Sequence, residues 1–133
     1  MKLFVDTNVL LDILLKRKPY CSSSKKALLL NNMRDELFFS AKSATDIHYI
    51  LRKSMGSFEA QIHIGKLCTL LTCVSTDTND ILCGIVNDFA DFEAAVLEAT
   101  AVRIGANCII TRNKKDFSRS RIPVYTPEEY IKL

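Results

Sequence analysis

Acidic and small polar side chains fall where apolar runs end. "KLFVD" closes on Asp6 and is followed at once by Thr7 and Asn8. "ELFFS" closes on Ser40, shortly before Asp46, and "NCIIT" closes on Thr111, shortly before Asp116. The acid-rich "NDFADFE" adds Asp91 and Glu93. Carboxylates brought together repel, so a cluster takes up protons or holds a cation. Mg²⁺ suits such a cluster, because it prefers oxygen ligands, keeps several waters and shares its shell with substrate phosphate. "TRNKKDFSRSR" adds Arg112, Lys114, Lys115, Arg119 and Arg121 against the single acid Asp116. Cations beside a carboxylate site point to a polyanionic substrate, which the acids alone would repel. Any one of these acids taken alone reads as a cap or turn former. Their joint placement carries the inference.

The acids meet only if the intervening chain alternates between strands and helices. Residues 2–6 read as a buried strand, and Val9, Leu10, Ile13 and Leu14 as one helical stripe with Thr7 as its N-cap. Pro19 breaks that pattern, and Ser22 to Ser24 cap a second helix, "SKKALLLNNM". "ELFFSA" is a second buried strand, with helices over 43–54 and "FEAQIHIGKLCTLLT" after it. A short strand "CVS" precedes "NDILCGIVNDF", capped by Asp77 or Thr78. "DFEAAVLEATAVRIG" is a helix closed by Gly105, and "NCIIT" is a strand. "IPVYT" fits an edge strand, where Pro123 is tolerated, and Pro127 suits the first turn of a last helix. The expected fold is a three-layer α/β/α domain over residues 1–133 with a mostly parallel central sheet. Ligands bind such sheets beyond the carboxyl ends of the strands, where Asp6, Ser40 and Thr111 stand.

Composition bounds the rest. The chain has 133 residues and a net charge of +3, a bias that by itself names no partner. The cysteines number five, an odd count with no Cys-x-x-Cys pair, so Cys21, Cys68, Cys73, Cys83 and Cys108 read as reduced, mostly buried residues of a cytoplasmic protein rather than zinc ligands. Asp6 interrupts the first apolar run, so it does not read as a signal peptide, and no run is long enough to span a bilayer. His48 and His63 read as packing or surface residues, Asp12 as a solvated helix position, and Tyr49, Phe38 and Phe39 as core or interface. The Leu28–Leu30 run and "CTLLTC" are apolar enough for a partner surface, with core as the default.

"LFVDTNVLLDILL", "SATDI", "DFEAAV" and "IITRNKKDF" resemble the successive motifs of PIN domains, and the chain resembles a VapC-type toxin ribonuclease. The resemblance implies an α/β/α fold, RNA cleavage dependent on Mg²⁺ or Mn²⁺, often a homodimer, and a small antitoxin partner. Asp6 matches the first metal-binding acid, Asn8 its polar neighbour, and Asp116 the acid before Phe117. Asp46 stands where the family usually has Glu, and Asn113 where many members have Asp. The chain departs at Ala94: relatives often read "DFEDA" where this sequence reads "DFEAA". Asp91 lies one turn before Ala94 on the same helical face and is the expected substitute, with Glu93 second. Glu98, one turn further on, reads as structural.

The implied chemistry is metal-assisted hydrolysis of a phosphodiester. Mg²⁺ or Mn²⁺ is expected at Asp6, Asp91 and Asp116, with Asp46 assisting and a water attacking in line. Thr111, Arg112 and Asn113 are candidates to position the scissile phosphate, with Lys114 and Lys115 along the backbone. Thr7 and Asn8, at a helix N-terminus, would orient Asp6 or receive a phosphate. The competing reading is a weakened PIN fold that binds RNA or protein. A haloacid-dehalogenase phosphotransferase needs a second Asp where this chain has Asn8, and a dinucleotide site needs a Gly-rich loop that does not follow the first strand.

Overall fold

The computed structural model describes residues 1–29 and 35–133. Its strands are β1 (Lys2–Val5), β2 (Glu36–Ser40), β3 (Thr72–Val74), β4 (Cys108–Ile110) and β5 (Val124–Tyr125). They form a sheet of order β3-β2-β1-β4-β5, and each pairing is parallel. The helices are α1 (Thr7–Leu14), α2 (Tyr20–Leu29), α3 (Ala41–Met55), α4 (Ser57–Leu70), α5 (Thr78–Val86), α6 (Phe92–Arg103) and α7 (Pro127–Ile131).

Strand side chains alternate between faces, and that alternation sorts the helices into two layers. Leu3 and Val5, Leu37 and Phe39, and Cys108 and Ile110 pack with Val9 and Leu10 of α1, Ala27 of α2, Ile47 and Leu51 of α3, Leu67 of α4 and Tyr130 of α7. The intervening Phe4, Phe38 and Ile109 face the other way, onto Ala94, Leu97 and Ala101 of α6 and onto Phe117. Helix α5 stacks on α6. Their approach is close at Gly84, where an added Cβ would stand 2.9 Å from Val96 Cγ2.

The connectivity fixes where a site can form. From β1 the chain runs outward through β2 to β3, then returns to build β4 and β5 on the opposite side of β1. The direction therefore reverses between β1 and β4, and a crevice opens beyond their carboxyl ends. Asp6 follows β1 and Thr111 follows β4, and the Asp6 N–H still bonds Ile110 O at 2.9 Å.

The expected three-layer parallel fold is the one observed, with differences at the element ends. Helix α1 is capped by Asp6 rather than Thr7, because the Asp6 side chain accepts the Thr7 N–H. Helix α2 starts at Tyr20, ahead of the serines expected to cap it, and the end expected in "NNM" lies outside the described residues. Helix α3 starts directly after Ser40, whose hydroxyl accepts the Ser43 N–H. Asp77 caps α5 through a reciprocal capping box with Asp80, Pro127 sits in the first turn of α7, and Gly105 takes φ +75 just after α6. The cysteines are not mostly buried. Cys68, Cys73 and Cys83 are exposed and Cys21 is partly so, because they fall on outward positions of α4, α5, α2 and the edge strand β3; Cys108 is buried. Tyr49 is also exposed, under Arg52 and Lys53. Among the described residues no helix is long and apolar enough to cross a membrane.

Candidate active site

Asp6 sits at the sharp turn from β1 into α1, in the extended conformation of an N-cap. Its Oδ1 accepts the Thr7 N–H at 2.7 Å. Its Oδ2 accepts the Thr111 hydroxyl at 2.7 Å and the Asn8 side-chain amide at 3.2 Å. Asn8 Oδ1 in turn accepts the Arg112 N–H at 3.2 Å, and Thr111 Oγ1 accepts the Asn113 N–H at 3.1 Å. Asn8 and Thr111 therefore tie the first residue after β1 to the first residues after β4.

Burial pushes the Asp6 carboxyl above the usual range; the bonds from Thr111 and Thr7 oppose this, and the nearby charges of Glu93 and Asp116 add to it. Those acids share a cleft with Asp6. Its volume is about 210 Å³, and Thr7, Asn8, Lys42, Asp91, Ala94 and Asn113 also line it. Asp116 arrives on a 3₁₀ turn, Lys114–Phe117, held down by the buried Phe117.

Asp91 reaches the cleft in another role than a helix-face carboxylate. It is the N-cap of α6, and its Oδ1 accepts the N–H groups of Glu93 at 2.9 Å and Ala94 at 3.4 Å. Its geometry is therefore not that of a residue one turn before Ala94 on a shared stripe. Asp46 does not line the cleft. It bonds Lys42 Nζ at 2.6 Å, and the same ammonium bonds Glu93 Oε1 at 2.6 Å. Burial draws the Lys42 pKa down, but its bonds to the two acids outweigh this and leave it above the ordinary lysine value.

The basic segment is largely committed within the molecule. Arg112 turns away from the cleft to Asp12, with Nε at 2.8 Å, and stacks on Tyr20 at 4.1 Å. Asp12 is fully buried and also meets Arg17 at 3.6 Å, so it is not the solvated position expected from sequence. Arg121 pairs with the buried Glu98 at 2.8 Å, Lys114 with Glu129 at 3.0 Å, and Arg119 approaches Asp88 at 3.9 Å. Lys115 is exposed and makes no ion pair among the described residues.

The fold matches a known pattern. The PIN-domain family model matches residues 2–115. The chain belongs to the PIN-domain family. No curated protein matches it. Among solved structures, this PIN domain is similar to VapBC2 from Rickettsia felis bound to a promoter DNA fragment, at 15% identity and TM-score 0.73, covering 94% of this chain and 97% of that one. It is also similar to a toxin–antitoxin complex from Klebsiella pneumoniae, at 22% identity and TM-score 0.71, covering 97% and 99%. A third similar structure is VapC20 from Mycobacterium tuberculosis, a sarcin–ricin-loop-cleaving toxin, at 14% identity and TM-score 0.63, covering 80% and 86%.

A hard divalent cation fits the donors of this PIN domain in an open mode. The cleft offers carboxylate, amide and hydroxyl oxygens, and the charges of Glu93 and Asp116 both bear on Asp6. Among the described residues, however, no three His, Cys, Asp or Glu side chains stand close enough to enclose a metal ion. Mg²⁺ needs only one or two carboxylates with waters, so the arrangement suits it better than a cation that demands a full protein cage. Sequence reasoning passed over Lys42 and the buried Ser40–Ser43 hydroxyl pair beside Thr7. Thr7 Oγ1 bonds Ser43 Oγ at 2.7 Å. The available signal for Lys42 was its i,i+4 spacing to Asp46.

Proposed function

We propose that this PIN domain is a divalent-metal-dependent endoribonuclease, the toxin of a toxin–antitoxin pair, acting in the cytoplasm. The observation that carries the reading is the convergence of Asp6 and Asp116, from opposite ends of the chain, with Glu93 in one cleft at the switch point of the sheet. The similar structures named as toxin–antitoxin complexes, and the one named as cleaving the sarcin–ricin loop, support RNA as substrate and a small antitoxin as partner.

In this reading Asp6 would hold Mg²⁺ or Mn²⁺ directly, and Asp116 and Glu93 would act on it through its waters, with Asp91 at the rim. The bound cation supplies Lewis acidity toward a phosphodiester. The protein's own residues do the positioning. Thr111 and the Thr7 N–H hold the Asp6 carboxylate in one orientation, and Asn8 keeps that orientation registered to β4. Asn113, at the cleft wall, is a neutral donor to a phosphate oxygen, and Lys115 is the exposed cation of its segment for the RNA backbone. Helix α5 exposes Ile81, Leu82, Ile85 and Val86, which supports burial against a second chain, and a homodimer is the form proposed.

One observation favours a second reading. Ala94 puts a methyl group, not a carboxylate, on the wall of the cleft that Asp6 also lines, so a PIN fold that binds RNA or protein with weakened chemistry is the alternative. Incubating the protein with single-stranded RNA in Mg²⁺, Mn²⁺ or EDTA separates them. Endonucleolytic products that disappear in EDTA support the nuclease. RNA binding without cleavage in any metal supports the alternative.

A further inference from the structure

Lys42 stands in an unfavourable place. It is the second residue of α3, where the helix macrodipole already presents positive charge and a cation is disfavoured. Its partner on the same helix, Asp46, follows it by four residues, the weaker order for such a pair. Yet Lys42 Nζ lies 2.6 Å from Asp46 Oδ2 and 2.6 Å from Glu93 Oε1, so it bridges α3 to α6 across the mouth of the cleft. The three side chains are 46%, 39% and 60% exposed, so the bridge is open to solvent and exchangeable. Exposed pairs of this kind are individually weak. The ammonium is also the cationic side chain among the residues lining the cleft, against the carboxylates of Asp6, Asp91, Glu93 and Asp116.

We propose that Lys42 is an exchangeable counter-ion of the cleft: its ammonium holds Glu93 and Asp46 until a divalent cation takes Glu93, and it then turns to the phosphate backbone of the RNA. This rests on the nuclease reading and deepens it. A cation bound to Glu93 competes directly with Lys42, because one Glu93 oxygen already carries the ammonium. Once displaced, the ammonium has a four-carbon tether that lets it reach the cleft opening, where an RNA phosphate restores its charge pairing. Metal loading and substrate grip are thereby linked through one side chain, and Glu93 and Asp46 stay paired in the metal-free protein.

The test compares wild type with Lys42→Met and Lys42→Arg, with Lys42→Gln as a second neutral variant should the methionine protein fold poorly. Mn²⁺ is titrated calorimetrically into each, melting is followed in EDTA and in Mn²⁺, and kcat and KM are measured on a single-stranded RNA oligonucleotide. The neutral variants should bind Mn²⁺ roughly two- to fivefold more tightly, the size set by losing the exposed ion pair with Glu93. They should gain more melting temperature from Mn²⁺ than wild type does. Their KM for RNA should nevertheless rise, while Lys42→Arg stays near wild type in both. A merely structural bridge would lower melting alike in EDTA and Mn²⁺ and leave Mn²⁺ affinity unchanged, and that result overturns the proposal with the nuclease reading intact. Tighter Mn²⁺ binding with an unchanged KM overturns the transfer to phosphate. Wild type that neither binds Mn²⁺ nor cleaves RNA overturns the nuclease reading, and the Lys42 exchange with it.

Discussion

Thr111 Oγ1 donates to Asp6 Oδ2 at 2.7 Å and joins the ends of two neighbouring parallel strands. That bond opposes the burial that raises the Asp6 pKa. Its loss in Thr111→Val should therefore raise the pKa further. If ionised Asp6 is required, activity falls as pH drops through that pKa, so the acid limb of the rate profile should move to higher pH. Activity at neutral pH should fall roughly 10- to 100-fold, as for other groups that orient a ligand. Stability without metal runs the opposite way with pH: the Asp6 contribution is complete below its ordinary value of 3.8 and is lost as pH rises through the raised value. A pH–rate profile of Thr111→Val with an unmoved acid limb would exclude this coupling.

Ala94 lines the cleft with Asp6, Glu93 and Asp116. Ala94→Asp adds a carboxylate to a cleft where Glu93 and Asp116 already bear on Asp6, so the metal-free variant should melt below wild type. Mn²⁺ should restore that loss, and Mn²⁺ affinity and cleavage rate should both increase. Paired melting curves in EDTA and Mn²⁺ read the first two effects. Equal melting in both conditions would mean that position 94 does not face the cation.

Glu98 is fully buried on α6, and its Oε1 meets Arg121 Nη2 at 2.8 Å. Removing the Arg121 side chain leaves that carboxylate, among the described residues, with the backbone N–H of position 121. Arg121→Ala should cost about 3 kcal/mol of unfolding free energy. The double variant Glu98→Gln, Arg121→Ala should lose less, because the stranded charge is gone. Urea denaturation decides between the two orders.

Lys115 should matter more to RNA than Lys114 does, since Lys114 already pairs with Glu129 at 3.0 Å. Lys115→Ala should reduce the dependence of log K on log salt by about 0.7 for single-stranded RNA, and Lys114→Ala by less. Affinity measured across a salt series reads both slopes.

The strands and their parallel order were legible because each is a short apolar run followed by a polar turn, and because alternating elements admit few topologies. The cleft was partly legible for the same reason: Asp6 directly follows β1, and Asp116 stands on the 3₁₀ turn beyond β4, both at the switch point. What stayed hidden was direction. Asp91 and Asp6 are caps, and a cap turns its carboxyl back onto backbone N–H groups, which residue spacing along a helix does not reveal. Arg112, Arg121 and Lys114 read as substrate-facing cations, but each meets an acid distant in sequence: Asp12, Glu98 and Glu129. Asp12 read as solvated because a charge is rarely buried without a partner, and its partner Arg112 lies near the other end of the chain. Lys42 meets Glu93 only once α3 and α6 pack against opposite faces of one sheet.

The central claim is that Asp6 carries the divalent cation on which RNA cleavage depends. The most direct measurement is calorimetric Mn²⁺ binding together with RNA cleavage for wild type and Asp6→Asn, with circular dichroism to verify the fold. The substitution keeps the size of the side chain and removes its charge. The expected result is Mn²⁺ binding and EDTA-sensitive cleavage by wild type, and loss of both in a folded Asp6→Asn protein. A folded Asp6→Asn protein that binds Mn²⁺ and cleaves RNA as wild type does would contradict the claim.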